Sequence, residues 1–342
     1  MSIAAAAAAY RRRRRRALRR RRRRTRPRFY YLLTWAPPDT TGWNVVVNNS
    51  PTPFFDFGDV PTILRTSVPT TQKFSIRSNT HVVMDQGWEH LVDTPVNGPN
   101  AGGREFCAIL PSSSNPGGSD PGRIMHIEGA LVHGYYCAGD IQLQDPNVIL
   151  QLQNSRCEQG MWADDSIAQR VHPDVFQDVS GFQEIRIDKV TGWLTFQAFI
   201  VGQGADGPIT IKRSNFEIQD PDDPQIELSE QAVTNLPNYV IHASGYLDDL
   251  GALITLDRVT TRMPSGVGLT VGATSGTAGL GRVSPYDGFT YTVAQDGPRK
   301  ALAFDSDSWV GALHEGAPFT DDGGDWVPAA LAGLSYVSPG YG

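Results

Sequence analysis

The sequence predicts an all-β body, a sandwich or barrel of short strands, set behind a separate arginine-rich arm. Three observations carry this. Glycine (35) and proline (24) are frequent in a chain of 342 residues, as suits a loop-rich β protein. Short runs of alternating apolar and polar residues recur between Gly, Pro, Asn and Asp clusters. No window sustains the helical period for four turns.

The arm comes first. Residues 1–28 hold fourteen arginines and no acidic residue: Arg11, Arg12, Arg13, Arg14, Arg15, Arg16, Arg19, Arg20, Arg21, Arg22, Arg23, Arg24, Arg26 and Arg28. Like charges at this density repel and cannot form a core, so the free arm is expected to be disordered. The rest of the chain carries 16 basic and 36 acidic residues, so the formal net charge of −6 averages an arm of +14 with a body of −20. Such asymmetry marks a nucleic-acid-binding arm on a separate body. The choice of arginine over lysine sharpens this, because the whole chain has only Lys73, Lys189, Lys212 and Lys300. Guanidinium forks grip phosphate bidentately, with little reading of base sequence. Fully extended, the arm reaches about 100 Å. The same run suits a nuclear localisation signal read by a host import receptor.

The body begins at Phe29. Phe54, Phe55, Phe57 and Val60 lie among Pro51, Pro53 and Pro61, an extended but frequently broken stretch. Ile124–Tyr136 is a strand candidate. Val148–Gln153 places Val148, Leu150 and Leu152 inward, and Gln183–Asp188 sets Ile185 and Ile187 against Glu184, Arg186 and Asp188. Trp193–Val201 is apolar on both faces and reads as a central strand. Ile209–Ile218, Ala252–Val259 and Phe289–Val293 complete the set. Ala163–Arg170 and Leu228–Leu236 could each form two helical turns. Gln219–Gln225 (QDPDDPQ) is a linker or exposed loop, Gly266–Gly281 is glycine-rich, and Pro111–Gly122 is a further loop. No internal repeat is evident.

Motifs for chemistry are absent or weak. There is no Walker sequence, GxSxG elbow, HExxH or CxxC pair. His126-Ile127-Glu128 resembles half of a zinc deaminase site but lacks its PCxxC partner, and reads better as an alternating strand with two polar residues facing out or into an interface. Asp220, Asp222 and Asp223, and Asp321, Asp322 and Asp325, lack EF-hand spacing and read as solvated acidic loops. The seven tryptophans read as packing residues. No cofactor, metal ligand or catalytic residue is assigned, and the expectation is that the chain is not an enzyme. Cys107, Cys137 and Cys157 give no disulfide framework, which fits a reducing setting, although one bridge remains open. No apolar run nears the roughly 18 residues of a membrane helix, and Met1–Tyr10 lacks the basic start of a signal peptide.

Tyr10–Arg28 (YRRRRRRALRRRRRRTRPR), followed at once by a β-rich body, resembles the layout of capsid proteins of small circovirus-like and genomovirus-like (CRESS-DNA) single-stranded DNA viruses. The resemblance implies a single jelly roll, an eight-stranded antiparallel β-sandwich with long loops. It implies self-assembly into a T=1 icosahedral shell of sixty copies, in the virion and, during assembly, the host nucleus. Its partners would be a genome and further copies of itself. Small RNA-virus capsids of the nodavirus and tombusvirus kind share this layout, so single-stranded DNA is favoured and RNA remains open. The division expected is an arm at 1–28, a shell core at 29–219, and a segment at 220–342 that completes the roll or projects from it. Two rivals stand beside it. One is a nonviral β-sandwich tethered to nucleic acid by the arm. The other is a carbohydrate-active β enzyme, for which Asp164 and Asp165, or Asp248 and Asp249, would supply paired carboxylates.

Overall fold

A computed structural model describes residues 32–92, 106–114, 118–134, 141–158, 174–194, 198–201 and 205–218, five later strands, and residues 327 and 329–340. The arginine arm, the loops Gln219–Gln225 and Asp321–Asp325, both two-turn helix candidates and Phe289–Val293 lie outside the described residues.

The body is a coil of strands, each circuit stacking on the one before. The first circuit has β1 (Asn44–Asn48) and β2 (Phe54–Asp56), and the second β3 (Thr62–Thr66) and β4 (Phe74–Arg77). The third has β5 (Val82–Met84), β6 (Trp88–Leu91) and β7 (Cys107–Leu110). The fourth has β8 (Arg123–Glu128), β9 (Ala130–His133) and β10 (Ile141–Leu143). The long strands β11 (Val148–Glu158) and β14 (Glu184–Leu194) dominate the fifth and sixth, with β12 (Phe176–Asp178), β13 (Gly181–Phe182), β15 (Phe199–Val201) and β16 (Ala205–Asp206). Then follow β17 (Ile209–Lys212), β18 (Asn215–Ile218) and β19 (Tyr239–Ala243), β20 (Ile254–Asp257), β21 (Val259–Arg262) and β22 (Thr270–Gly272), and β23 (Leu313–Glu315).

Every strand pairing among the described residues is parallel. The all-β class holds, but the expected antiparallel jelly roll is corrected to a parallel β-helix. Parallel strands need a crossover of a dozen or more residues, usually a helix. The antiparallel expectation comes from the layout resemblance, and strand alternation alone does not fix strand direction. Here the crossover is the rest of the circuit, itself made of strands.

The coil has three faces. The first stacks β1, β3, β5, β8, the first half of β11, the first half of β14, β17 and β20. The second stacks β6, β9, the later halves of β11 and β14, β18, β21 and β23. The third stacks β2, β4, β7, β10, β12, β15, β19 and β22. Down the first face one column of partners runs Asn44, Thr62, Val82, Met125, Leu150, Ile185, Ile209 and Ile254. Spacings along this column range from 18 residues (Asn44 to Thr62) to 45 (Ile209 to Ile254). The repeat is therefore spatial and not periodic in sequence, because corners carry insertions of different length.

The interior is filled by one apolar cluster. Leu64, Met84, Ile127, Leu152, Ile187 and Ile211 stack from the first face. Phe74 lies against Trp88 at 4.8 Å, and Phe199 meets Phe216 edge-on at 5.1 Å. The inward assignments of Val148, Leu150, Leu152, Ile185 and Ile187 hold, since all are buried. Trp193–Val201 is not one strand: β14 ends at Leu194 and β15 begins at Phe199 on another face. Cys107 and Cys157 are buried thiols without a disulfide, and burial pushes the Cys157 thiol up to about 12.

The corner between the first and second faces recurs at one position. Gly87, Gly129, Asn154, Lys189 and Arg213 occupy it on successive circuits, all with positive φ, and the last three are the non-glycine residues of that kind among the described residues. The left-handed conformation suits glycine and is tolerated by asparagine. Lys189 and Arg213 hold it at a cost offset by bonds described below. Ser155 Oγ accepts the Ala130 N–H at 3.1 Å, and Ser214 Oγ accepts that of Val190 at 3.1 Å, so serine beside the corner ties one circuit to the next.

Another corner contains the buried ion pair Arg123–Asp145, 2.6 Å apart with side chains at 0% and 1% exposure. Asp145 also accepts from Ser119 Oγ at 3.0 Å, and Arg123 donates to the Leu110 carbonyl at 3.2 Å. Removing one partner strands a buried charge, so Asp145→Asn is expected to cost about 3–5 kcal/mol in urea unfolding. Arg65→Met, at the more exposed Arg65–Asp85 pair of 2.7 Å, is expected to cost less than about 1 kcal/mol.

Candidate functional site

The outward side of the first face holds polar side chains that would ordinarily meet water. Strand alternation points His126 and Glu128, Gln151 and Gln153, and Arg186 and Asp188 the same way, and register aligns them in two rows. Yet His126, Glu128, Gln153 and Asp188 are fully buried, because the two ends of the described chain cross over them.

The N-terminal strap, Leu32–Ala36, is held to this face by side chains of the coil. Gln153 Oε1 accepts the N–H groups of Thr34 (2.9 Å) and Trp35 (3.1 Å), while its Nε2 donates to the Trp35 carbonyl (2.8 Å). One side-chain amide thus satisfies three backbone groups. Thr34 Oγ1 donates to Asp188 at 2.6 Å, and Lys189 Nζ donates to the Leu32 carbonyl and to Asp188. Arg213 reaches Asp188 with Nε (2.8 Å) and also bonds Thr34. The corner residues Lys189 and Arg213 are therefore held by the carboxylate of Asp188 and the strap together. Lys212 Nζ lies over the Trp35 ring, 5.5 Å from its centre.

The C-terminal strap runs from the second face onto the first. Arg156 donates to the Val327 carbonyl (3.1 Å), and the Val327 N–H donates to Thr191 Oγ1 (3.0 Å). Val327, Ala332 and Leu131 form a small apolar cluster. Tyr336 then lies over a notch made by glycines. A Cβ on Gly129 would sit 2.2 Å from the Tyr336 ring, and one on Gly87 only 2.4 Å from the Gly333 carbonyl. The Leu33 N–H donates to the Gly340 carbonyl at 3.1 Å, so the two straps join.

Under the straps runs a directed hydrogen-bond chain. The Gln151 amide nitrogen faces the Ala36 carbonyl (3.3 Å) and His126 Nδ1 (2.8 Å), while its oxygen accepts from Arg186 at 3.1 Å. With Nδ1 accepting, His126 Nε2–H donates to Glu128 Oε1 at 3.3 Å. The other Glu128 oxygen accepts from Tyr336 Oη at 2.8 Å, and Asn154 donates to that hydroxyl at 3.2 Å. Burial, reinforced by the Glu128 charge, holds the Tyr336 phenol well above its usual range. Backbone and side chains of the two straps engage this constellation, which acts as a clamp.

The fourteen arm arginines lie outside the described residues, but their attachment point is described: the arm joins the body through this strap. His126 and Glu128 face an interface, as the alternation suggested, and the interface is internal. The other clamp residues were not singled out as a site from the sequence. Glutamines and an aspartate at outward strand positions read as ordinary solvated residues. Trp88 is a core residue, whereas Trp43 stacks on His81 at 5.9 Å near the surface. The carboxylate pairs Asp164–Asp165 and Asp248–Asp249 lie outside the described residues. Among the described residues no group of three His, Cys, Asp or Glu is placed to hold a metal, and no helix is long and apolar enough to cross a membrane. No protein family, curated protein or solved structure matches the chain.

Two predictions follow from this geometry. Gly129→Ala forces both a clash with Tyr336 and an unfavourable left-handed alanine, so the C-terminal strap should detach. Hydrogen exchange would read faster exchange at the Leu33 and Gly333 amides, while Tyr336→Phe, which strands Glu128 and Asn154 groups, should cost about 1–3 kcal/mol. The second concerns His81. Burial is the main cause holding its pKa below the usual value, with Asp120 pulling it back up and Arg123 pushing it further down. Its neutral Nδ1 accepts the Ile124 N–H at 2.9 Å. Folding thus favours the neutral form. Its stabilisation is complete above the unfolded value of about 6.5 and is lost as pH falls through the depressed native value. Unfolding curves between neutral and mildly acid pH should show that loss, and His81→Asn should flatten it.

Proposed function

We propose that the chain is a non-catalytic nucleic-acid-binding structural protein, in which Arg11–Arg28 hold a phosphate backbone and the β-helix is the body to which that contact is tethered. The observation that carries the reading is the segregation of charge across the strap: +14 on one side and −20 on the other. Within the described body six basic side chains are paired with the body's own acids. Arg65, Arg123, Arg156, Arg186, Lys189 and Arg213 all stand in ion pairs with Asp or Glu. The body's surplus of acid repels polyanions, which leaves the arm as the contact. The buried root of the strap gives the tether mechanical hold.

The layout resemblance extends this reading to genome packaging. In that form, sixty bodies would enclose single-stranded DNA or RNA and bring about 840 arginine charges to it, with nuclear import as a second use of the arm. This form no longer draws on a jelly roll, since the subunit would be a coil. It differs from a tethered module in particle size alone.

The test is the salt dependence of binding to single-stranded DNA and RNA by the full chain and by a chain lacking residues 1–28. Each phosphate neutralised on a single strand contributes about 0.7 to the slope of log K against log salt, so replacing Arg19–Arg24 with alanine should flatten the slope by about 4. Deletion of the arm should abolish binding at physiological salt; binding that survives deletion with an unchanged slope overturns the proposal. Negative-stain microscopy with the 260/280 nm ratio on the same fraction separates the forms. Uniform nucleic-acid-containing shells support packaging, and a small soluble complex supports the tethered module.

A further inference from the structure

The coil begins with an open edge. Among the described residues β1 pairs on one side only, with β3. The Asn44 N–H donates to the Pro61 carbonyl, and the Asn48 carbonyl accepts from Ser67, so these two residues face the coil. Backbone groups alternate along a strand, so Val45 and Val47 aim their N–H and C=O groups at the open side. Their side chains are also exposed, 49% and 60%.

Native sheets guard such edges with charge, proline or a bulge. Among the described residues nothing of the kind stands here. From Thr40 to Phe55 no residue is charged, β1 contains no proline, and its pairing with β3 is regular. Val46 and Phe57 at this end are only partly buried against the core.

The strand's sequence is Asn-Val-Val-Val-Asn, the same in both directions. An antiparallel pairing with itself about Val46 sets Val45 opposite Val47, Val46 opposite Val46, and Asn44 opposite Asn48. Val45 and Val47 are the residues whose backbone groups face outward. Each Val45–Val47 pair would therefore exchange both hydrogen bonds, with Val46 at the non-hydrogen-bonded position on the axis. Such an interface is isologous and closes at two copies.

We propose that β1 is a dimerisation edge, and that two copies of this chain join through antiparallel β1–β1 pairing across a two-fold axis at Val46. The proposal does not depend on the function of the arm. Pairing would extend the first face through both bodies, add four backbone hydrogen bonds, and bring the exposed valines of the two copies side by side.

The test uses the full chain, treated with nuclease, stripped of nucleic acid at high salt and then returned to moderate salt, where charges at positions 45 and 47 still act. Light scattering after gel filtration should give twice the chain mass at micromolar concentration, falling to the chain mass on dilution. Val47→Pro removes one outward N–H while leaving the groups facing β3 in place, and should give a monomer with unchanged circular dichroism. A second pair of variants guards against misfolding. Val45→Lys with Val47→Lys, and Val45→Glu with Val47→Glu, should each be monomeric alone and form a heterodimer when mixed, because position 45 of one faces position 47 of the other. Three results would overturn the proposal: a wild-type chain that stays monomeric, a dimer untouched by Val47→Pro and by both charge variants, or filaments that lengthen with concentration, which would mean head-to-tail stacking.

Discussion

Each circuit of the coil must turn where the previous one turned, and this constraint governs the rest of the structure. In a parallel stack, a shift of one residue would move the apolar column of one strand onto the outer face. The left-handed corner at Gly87, Gly129, Asn154, Lys189 and Arg213 pins that register circuit after circuit. Because this corner bends the backbone in the same way from the third circuit on, Met84, Ile127, Leu152, Ile187 and Ile211 fall into one interior stack, which Leu64 extends. Where the corner residue is not glycine, its side chain is tied down. Asn154 bonds Tyr336, and Lys189 and Arg213 converge on Asp188.

The same register makes the clamp feasible. Burying Glu128 and Asp188 away from water would be costly for either alone. Stacking places His126 beside Gln151 and Arg213 beside Asp188, and the straps supply the remaining donors. The result is a polar layer, satisfied largely from within the chain, between the β-helix and its two ends. Buried networks of this kind specify one arrangement over others more than they add stability.

Much of the local structure was legible. The alternation in Val148–Gln153 and Gln183–Asp188 assigned inward and outward residues correctly, since periodicity records burial directly. What alternation does not record is the direction of the neighbouring strand. The layout resemblance then supplied an antiparallel reading. The circuit repeat stayed hidden because its spacing runs from 18 to 45 residues. Lysine and arginine at a left-handed corner give no local signal, so Ile209–Ile218 read as one strand where Arg213 divides two. At the clamp, the outward placement of His126 and Glu128 was readable. Their cover was not, since Thr34 and Asp188 are separated by 154 positions and Glu128 and Tyr336 by 208.

Those separations set an order of events during synthesis. Thr34 has no seat until Asp188 has been made and the sixth circuit has closed, and the joint between Leu33 and Gly340 waits for Gly340 itself. The strap that roots the arm is therefore among the last parts to settle. Long-range contacts of this kind form slowly, because loop closure precedes any reward. Until then Leu32–Ala36 lacks the partners that hold it to a body whose formal charge is opposite to that of residues 1–28. The order of synthesis thus leaves an interval between the making of the strap and the making of its seat.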